Sequence, residues 1–111
     1  MGYIARKGDI IWLSLTPQIG HEQAGRRPAL VISNDVFNSY TKSGAMVCPI
    51  TNMDRNCPLH VRLDSRTATT GVVMCDQAKI LDLESRGAEF IEKAPDDIVF
   101  EATDIVIGII E

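Results

Sequence analysis

Two short apolar runs on either side of a polar loop constrain the fold of this chain more than anything else in it. The first run is Ile10-Ile11-Trp12-Leu13-Ser14-Leu15 and the second is Ala29-Leu30-Val31-Ile32. The first is apolar nearly throughout, the pattern of a strand covered on both faces. The second is a β-branched run entered from a loop, again a strand. Neighbouring strands joined by one connection are most simply an antiparallel pair. The connection ends in Gly20-His21-Glu22-Gln23-Ala24-Gly25-Arg26-Arg27-Pro28. It gathers an imidazole, a carboxylate, an amide and two guanidiniums. Gly20 and Gly25 permit backbone angles that other residues resist, and Pro28 fixes φ where the second strand begins. Functional groups carried on a loop by a rigid strand are the usual way a small domain builds a site. A solvated turn is the plain alternative. An acid–base pair beside an anion binder points away from it.

With 111 residues the chain suits one domain, spanning 1–111. A hydrophobic share of 45% is enough to bury a core without staples. The cysteines Cys48, Cys57 and Cys75 are odd in number and lack C-x-x-C spacing, so no structural metal is expected. They read as small buried hydrophobes in a reducing cytosol. No apolar run has the length of a signal peptide core or a membrane span, which points to a cytoplasmic protein. The net charge of −4 argues against a general nucleic-acid binder. Its distribution says more. Residues 1–79 hold nine Lys/Arg against six Asp/Glu, and residues 80–111 hold two against nine. A short anionic strand can therefore bind the mildly basic body despite the overall sign.

Further along, Ser33 or Asn34 caps a short helix over 35–40. Ala45–Thr51 is a strand in which Pro49, lacking an N–H, marks an edge or a bulge. Leu59-His60-Val61-Arg62-Leu63 alternates, as a strand wet on one face does, and places His60 and Arg62 at the surface. Gly71–Asp76 is a strand, and 77–83 continues it or pairs with it. Residues 87–93 are ambiguous. Pro95-Asp96-Asp97 starts a helix whose apolar face is Ile98, Ala102, Ile105, Val106 and Ile109. The chain is thus mainly β with helices, a small barrel-like sheet closed by a C-terminal helix.

Three sets of functional groups meet if the strand ends converge: His21, Glu22 and Arg27; Thr51; and Asp76 with Gln77. No phosphate loop, nucleophile elbow or zinc helix motif is present. The groups suit metal-free attack at a phosphodiester. A carboxylate or imidazole takes a proton from the attacking hydroxyl, and a guanidinium and a hydroxyl hold the phosphate oxygens. A ribose 2′-OH as nucleophile needs no metal and separates RNA from DNA. Each member also has a duller role: Glu22 pairing with Arg26 or Arg27, Thr51 capping the next turn, Asp76 bonding a loop backbone.

Gly8-Asp9-Ile10-Ile11-Trp12, the Glu22-Gln23-x-Gly25-x-Arg27-Pro28 core, Pro49-Ile50-Thr51, and Asp76-Gln77 followed by Lys79 and Asp82 resemble the MazF/PemK family of toxin endoribonucleases, the mRNA interferases. Asn38, by the short helix, extends the match. The resemblance runs from Lys7 to the closing helix. It implies an SH3-like barrel of the MazF/CcdB type that forms a homodimer. It implies metal-independent cleavage of single-stranded RNA through a 2′,3′-cyclic phosphate and a 5′-hydroxyl, with no cofactor. It also implies a cognate antitoxin of the MazE/PemI kind, with a flexible acidic tail. By position, Arg27 and Thr51 match the phosphate-stabilising pair, and Glu22 matches a loop carboxylate implicated in catalysis. His21 and Asp76 match residues that PemK-type members use. Gln23 and Gln77 fall where RNA is contacted, with Gly20 and Gly25 framing the same RNA-binding loop. One position departs from the pattern. Met74 stands where PemK-type members carry an Arg proposed as general acid. Whether Glu22 or His21 is the base stays open.

The alternative within the fold is a CcdB-like gyrase poison, whose contacts run through its C-terminus; Gly108-Ile109-Ile110 resembles such an end, but no Trp precedes it. A non-catalytic SH3-like binding module is the third reading, and it needs none of Glu22, Arg27 and Thr51.

Overall fold

The computed structural model describes residues 3–15 and 25–111. Strand β1 (Asp9–Ser14) pairs antiparallel with β2 (Arg26–Val31), with Ile10 opposite Leu30 and Trp12 opposite Pro28. The two apolar runs therefore make the pair their spacing predicts. Gly20, His21, Glu22 and Gln23 lie outside the described residues.

Helix α1 (Asp35–Thr41) follows β2, and the Asn34 side chain caps it by accepting from the Phe37 N–H. The chain then enters β3 (Gly44–Thr51), the strand on which the rest converges. On one side β3 pairs with β2, through Val47, Cys48 and Pro49. On its other side it changes partner. Gly44–Val47 pairs with β6 (Lys79–Asp82), and Ile50 and Thr51 pair with β5 (Val72–Met74). Pro49 falls in the gap between these two partners. It marks neither a sheet edge nor a registered bulge: it lies inside the central strand, where one side of the ladder is interrupted and a missing N–H costs least.

The short β4 (His60–Arg62) pairs with β5, and β7 (Glu89–Lys93) pairs with β1. Residues 87–93, ambiguous by pattern, thus include an edge strand. The seven strands run β4-β5-β3-β2-β1-β7, with β6 beside β3. The path does not close into a complete barrel; two antiparallel sheets share β3 instead. A 3₁₀ turn at Cys75–Gln77 carries the chain off β5, so residues 79–82 pair with β3 and not with β5.

Helix α2 (Asp96–Ile110) begins after Pro95 at its N-cap, with Asp96 and Asp97 in the first turn, where the helix dipole favours carboxylates. Ile98, Val99, Ala102 and Val106 are its buried residues. Ile109, placed on this face by its spacing, is 51% exposed and lies past the last buried position. The sheet is apolar on both faces, as the first run predicts. Ile10, Leu30, Cys48 and Ile50 pack with Ile98 and Ala102 on one side. Ile11, Leu13, Ala29 and Val47 pack with Ala5 and Leu83 on the other. Trp12 is the exception in β1, exposed with the Arg26 guanidinium 5.9 Å from its ring centroid. Among the described residues no helix is long and apolar enough to cross a membrane.

Buried polar side chains pin this frame. Asp9 accepts from the Tyr3 hydroxyl, the Arg6 N–H and Lys93 Nζ, fastening the segment before β1 to β7. Asn38 is fully buried in α1. Its Nδ2 donates to the carbonyls of Ala5 and Ser33, both at 3.1 Å, and its Oδ1 accepts from the Ser33 hydroxyl. Asn38→Ala removes all three bonds and strands their partners, which is expected to cost about 3 kcal/mol of stability. Urea denaturation of the two proteins checks this, and a loss below about 1 kcal/mol contradicts the role.

Candidate active site

Thr51 ends β3, where the strand lies against β5. Its side chain is almost fully buried, and its Oγ1 accepts from the Met53 N–H at 3.2 Å. The capping role open to this residue is therefore real. Because that bond uses an oxygen lone pair, the hydroxyl proton is still available to donate to a ligand. Gly71 supports the position from below. Its φ is +115°, and a Cβ there would lie 2.3 Å from the Thr51 carbonyl oxygen. A glycine is required on both counts.

Thr51 lines a cavity of about 340 Å³ together with His60, Met74, Asp76 and Gln77, and the loop after β3 closes it with Met53, Arg55 and Cys57. Two of the three expected groups thus meet: Thr51 with the Asp76–Gln77 pair. The 3₁₀ turn at the end of β5 lifts Asp76 to the cavity rim, where its side chain is 38% exposed. Met74 is buried in the wall, at the position where PemK-type members carry an Arg. Arg55 brings a guanidinium that the sequence pattern did not single out. Its Nη2 lies 3.0 Å from Met53 Sδ.

Arg27 is half-buried on β2 and does not line this cavity. The β2–β3 pairing ends at Ala29 and Pro49, two residues short of Arg27 and of Thr51 respectively, and Arg27 pairs instead with Leu13 of β1. Gly25, just before β2, has φ +81° and accepts from the Leu15 N–H at 2.8 Å. Arg26 pairs with Glu89 at 3.2 Å. The remaining expected members, His21, Glu22, Gln23 and Gly20, lie outside the described residues.

His60 corrects the reading of its strand. Alternation put it on the wet face, yet its side chain is only 9% exposed, and Nε2 lies 3.0 Å from Asp76 Oδ1. The β4–β5 register sets His60 opposite Met74, so the turn that follows folds Asp76 back over the ring. Nδ1 of the same ring is buried without a hydrogen-bond partner. Arg62, the other residue of that face, is exposed as expected and bonds Asp54 and Asn56. The Asn56 N–H and the Arg62 guanidinium hold the Asp54 carboxyl below the usual carboxylate range.

Cys57 is half-buried, and its sulfur, a ring nitrogen of His60 and a carboxylate oxygen of Asp76 all lie within 4.8 Å of one another. Cysteine spacing alone gives no hint of this, because the third group arrives from a different strand. Cys48 and Cys75 are buried beneath, as expected of small hydrophobes. The contact with Cys75 and burial push the Cys48 thiol up, away from nucleophilic use.

Comparison with known proteins agrees with this architecture. Residues 6–109 match the model of a family described as PemK-like, MazF-like toxin of type II toxin–antitoxin system. The chain is 40% identical over 107 residues to the endoribonuclease PemK of Escherichia coli, an alignment covering 88% of this chain and 80% of that protein. The MazF crystal structure (Form-I) from Deinococcus radiodurans superposes with a TM-score of 0.91 at 38% identity, covering 98% of each chain. A MazE–MazF crystal structure (Form-II) from the same organism gives a TM-score of 0.85 at 38% identity, covering 98% of this chain and 97% of that one.

Gly71→Ala tests how Thr51 is held. The strained φ and the clash with the Thr51 carbonyl are expected to cost about 3 kcal/mol and to displace the strand end. Thermal unfolding reads the first effect, and an unchanged melting temperature contradicts it.

Proposed function

The chain belongs to the PemK-like, MazF-like toxins of type II toxin–antitoxin systems, and from this premise we propose that it is a sequence-specific endoribonuclease that cuts single-stranded RNA without a metal. The observation that carries the reading is the convergence of Thr51, Asp76 and Gln77 on one cavity, with Arg27 on the neighbouring strand β2.

The chemistry follows from the groups. A ribose 2′-hydroxyl attacks the adjacent phosphorus, the bond to the 5′-oxygen breaks, and the products are a 2′,3′-cyclic phosphate and a 5′-hydroxyl. Glu22 and His21 exchange the two protons, one accepting from the 2′-hydroxyl and the other donating to the leaving oxygen. The Arg27 guanidinium neutralises charge that builds on the non-bridging oxygens, and the Thr51 hydroxyl donates to one of them. Asp76 lends its carboxylate at the cavity rim, oriented by His60. With Met74 beside it, it does not work as half of an Asp–Arg acid–base pair. Gln23 and Gln77 contact bases or backbone, and Gly20 and Gly25 shape the loop that frames them. Charge stabilisation by a guanidinium leaves no step that needs a metal.

The biological reading is a toxin that lowers translation and growth by cutting mRNA in the cytoplasm. Its silencing partner is an antitoxin with an acidic tail, complementary to Arg27 and Arg55; the MazE–MazF assembly of the D. radiodurans relative supports this. A homodimer fits the apolar surface left at Phe100 and Ile110, each more than 70% exposed.

Purified protein incubated with a long single-stranded RNA in excess EDTA is expected to give discrete cuts at a short recurring motif, with cyclic phosphate ends. No cleavage would shift weight to a gyrase poison, tested next by DNA supercoiling. Arg27→Ala is expected to slow cleavage by about 10²–10³-fold, the loss typical of one charge-stabilising donor, while circular dichroism stays the same. Cleavage at the parent rate would remove Arg27 from the site. Growth arrest on expression is expected to be relieved by co-expressing a small acidic protein encoded beside this one. Continued arrest, with both proteins made, would count against the pairing.

A further inference from the structure

We propose that Cys57, His60 and Asp76 form a binding site for a single zinc-class divalent cation, and that the bound ion shuts the cavity lined by Thr51 and Gln77. The second half rests on the nuclease reading above; the first does not.

The fold assembles the three groups from separate pieces. The His60 N–H donates to the Cys57 carbonyl at 3.0 Å, closing a turn that brings the thiol beside the imidazole. The β4–β5 register and the 3₁₀ turn then set Asp76 against His60, with Nε2 and Oδ1 at 3.0 Å. One ligand atom from each residue lies within 4.8 Å of the others. A tetrahedral zinc site needs its ligand atoms roughly 3.5 Å apart. Nε2 and the Asp76 carboxylate oxygen stand 3.0 Å apart, a little inside that spacing. Only the thiol has to draw in, and it sits half-buried on the loop that borders the cavity.

The orphaned nitrogen is an independent observation. The His60 side chain is nine-tenths buried, and with Nε2 engaged by Asp76, Nδ1 meets no partner. Buried polar atoms are normally satisfied, and one that is not calls for an ion, a water or a functional reason. With Nε2–H donated to the Asp76 carboxylate, the ring's lone pair is on Nδ1, so the imidazole meets an ion through Nδ1 as it stands or through Nε2 after a tautomer shift, beside a thiol and a carboxylate.

The donor chemistry selects the cation. One sulfur, one nitrogen and one oxygen suit zinc and its neighbours, whereas magnesium and calcium want oxygen throughout. Binding releases the Cys57 proton to solvent. Thiolate and carboxylate then cancel the charge of a divalent ion, so the filled site gains no attraction for phosphate. Three protein ligands leave a fourth position for water. Meanwhile Asp76 is taken up by the ion, and the Cys57 loop is drawn over the cavity. Zinc would therefore act as a reversible brake on an enzyme that needs no metal for its chemistry.

Cobalt(II) titrated into the full chain reads the site directly. The expected result is one ion per chain, with a thiolate-to-cobalt charge-transfer band and the intense d–d bands of four-coordination. Zinc should displace the cobalt and bleach both. Cys57→Ala and His60→Ala should each weaken zinc binding at least about tenfold, the least that even outer-shell partners cost, measured by competition with a chromophoric chelator. Absence of the charge-transfer band, or equal binding by Cys57→Ala, would overturn the site. In RNA cleavage, one equivalent of zinc should inhibit the parent, and EDTA should restore it. Cys57→Ala, compared with its own rate without zinc, should resist zinc. Equal inhibition of both proteins would overturn the braking role. Should neither protein cut RNA in EDTA, the nuclease reading fails, while the cobalt spectrum still decides the site.

Discussion

The structure depends on one strand that serves two sheets. β3 keeps β2 on one side for its middle residues, while on its other side β6 gives way to β5. The exchange needs an interruption in the ladder, and Pro49, which has no N–H to leave unpaired, occupies it. The residues of β3 after Pro49, Ile50 and Thr51, pair into the second sheet with β5. Thr51 therefore ends beside β5 and the turn that carries Asp76. Without the change of partner, the strand end and the turn would lie on different parts of the surface.

The two sheets also explain why so small a chain can hold a site rigidly. The shared strands are buried on both faces, so a shift of β1, β2 or β3 disturbs two cores at once. Polar anchors fix what the cores leave free. Asp9 ties the N-terminal segment to β7, and Asn38 ties α1 to the segment before β1. A further ion pair runs from Arg66, in the turn between β4 and β5, to Asp97 in the first turn of α2. That contact is exposed and contributes little by itself.

The candidate site combines two kinds of support. Thr51, His60, Asp76 and Met74 sit on strand ends and a 3₁₀ turn, held by ladders and by the Gly71 contact. Arg27 is carried by β2, and the proton carriers proposed for the reaction, Glu22 and His21, precede it in the sequence. A rigid strand-borne part is what the proposed transesterification calls for. Phosphate-binding groups gain most from rigid placement, because donors fixed in advance need no reorganisation when charge develops. The same rigidity leaves the His60 ring nine-tenths buried with a nitrogen unserved, and that is where the cation site originates.

Much of this architecture is legible in the residues themselves. The β1–β2 pair, the capped α1 and the helix after Pro95 follow from period, β-branching, caps and proline, all of them local. The motif residues Arg27, Thr51 and Asp76 can be named from their order along the chain. Tertiary structure alone decided who pairs with whom. Residues 79–82 cross to β3, Pro49 falls inside the sheet, and residues 89–93 become an edge strand. His60 shows the limit most plainly. Alternation states correctly that it does not face the core side that Val61 faces, but it cannot report that Asp76, sixteen residues later, covers the ring. A local pattern fixes the direction in which a side chain leaves the backbone. What it meets there is set by strands distant in sequence, so the cavity and its Cys57–His60–Asp76 cluster exist only once the sheets have formed.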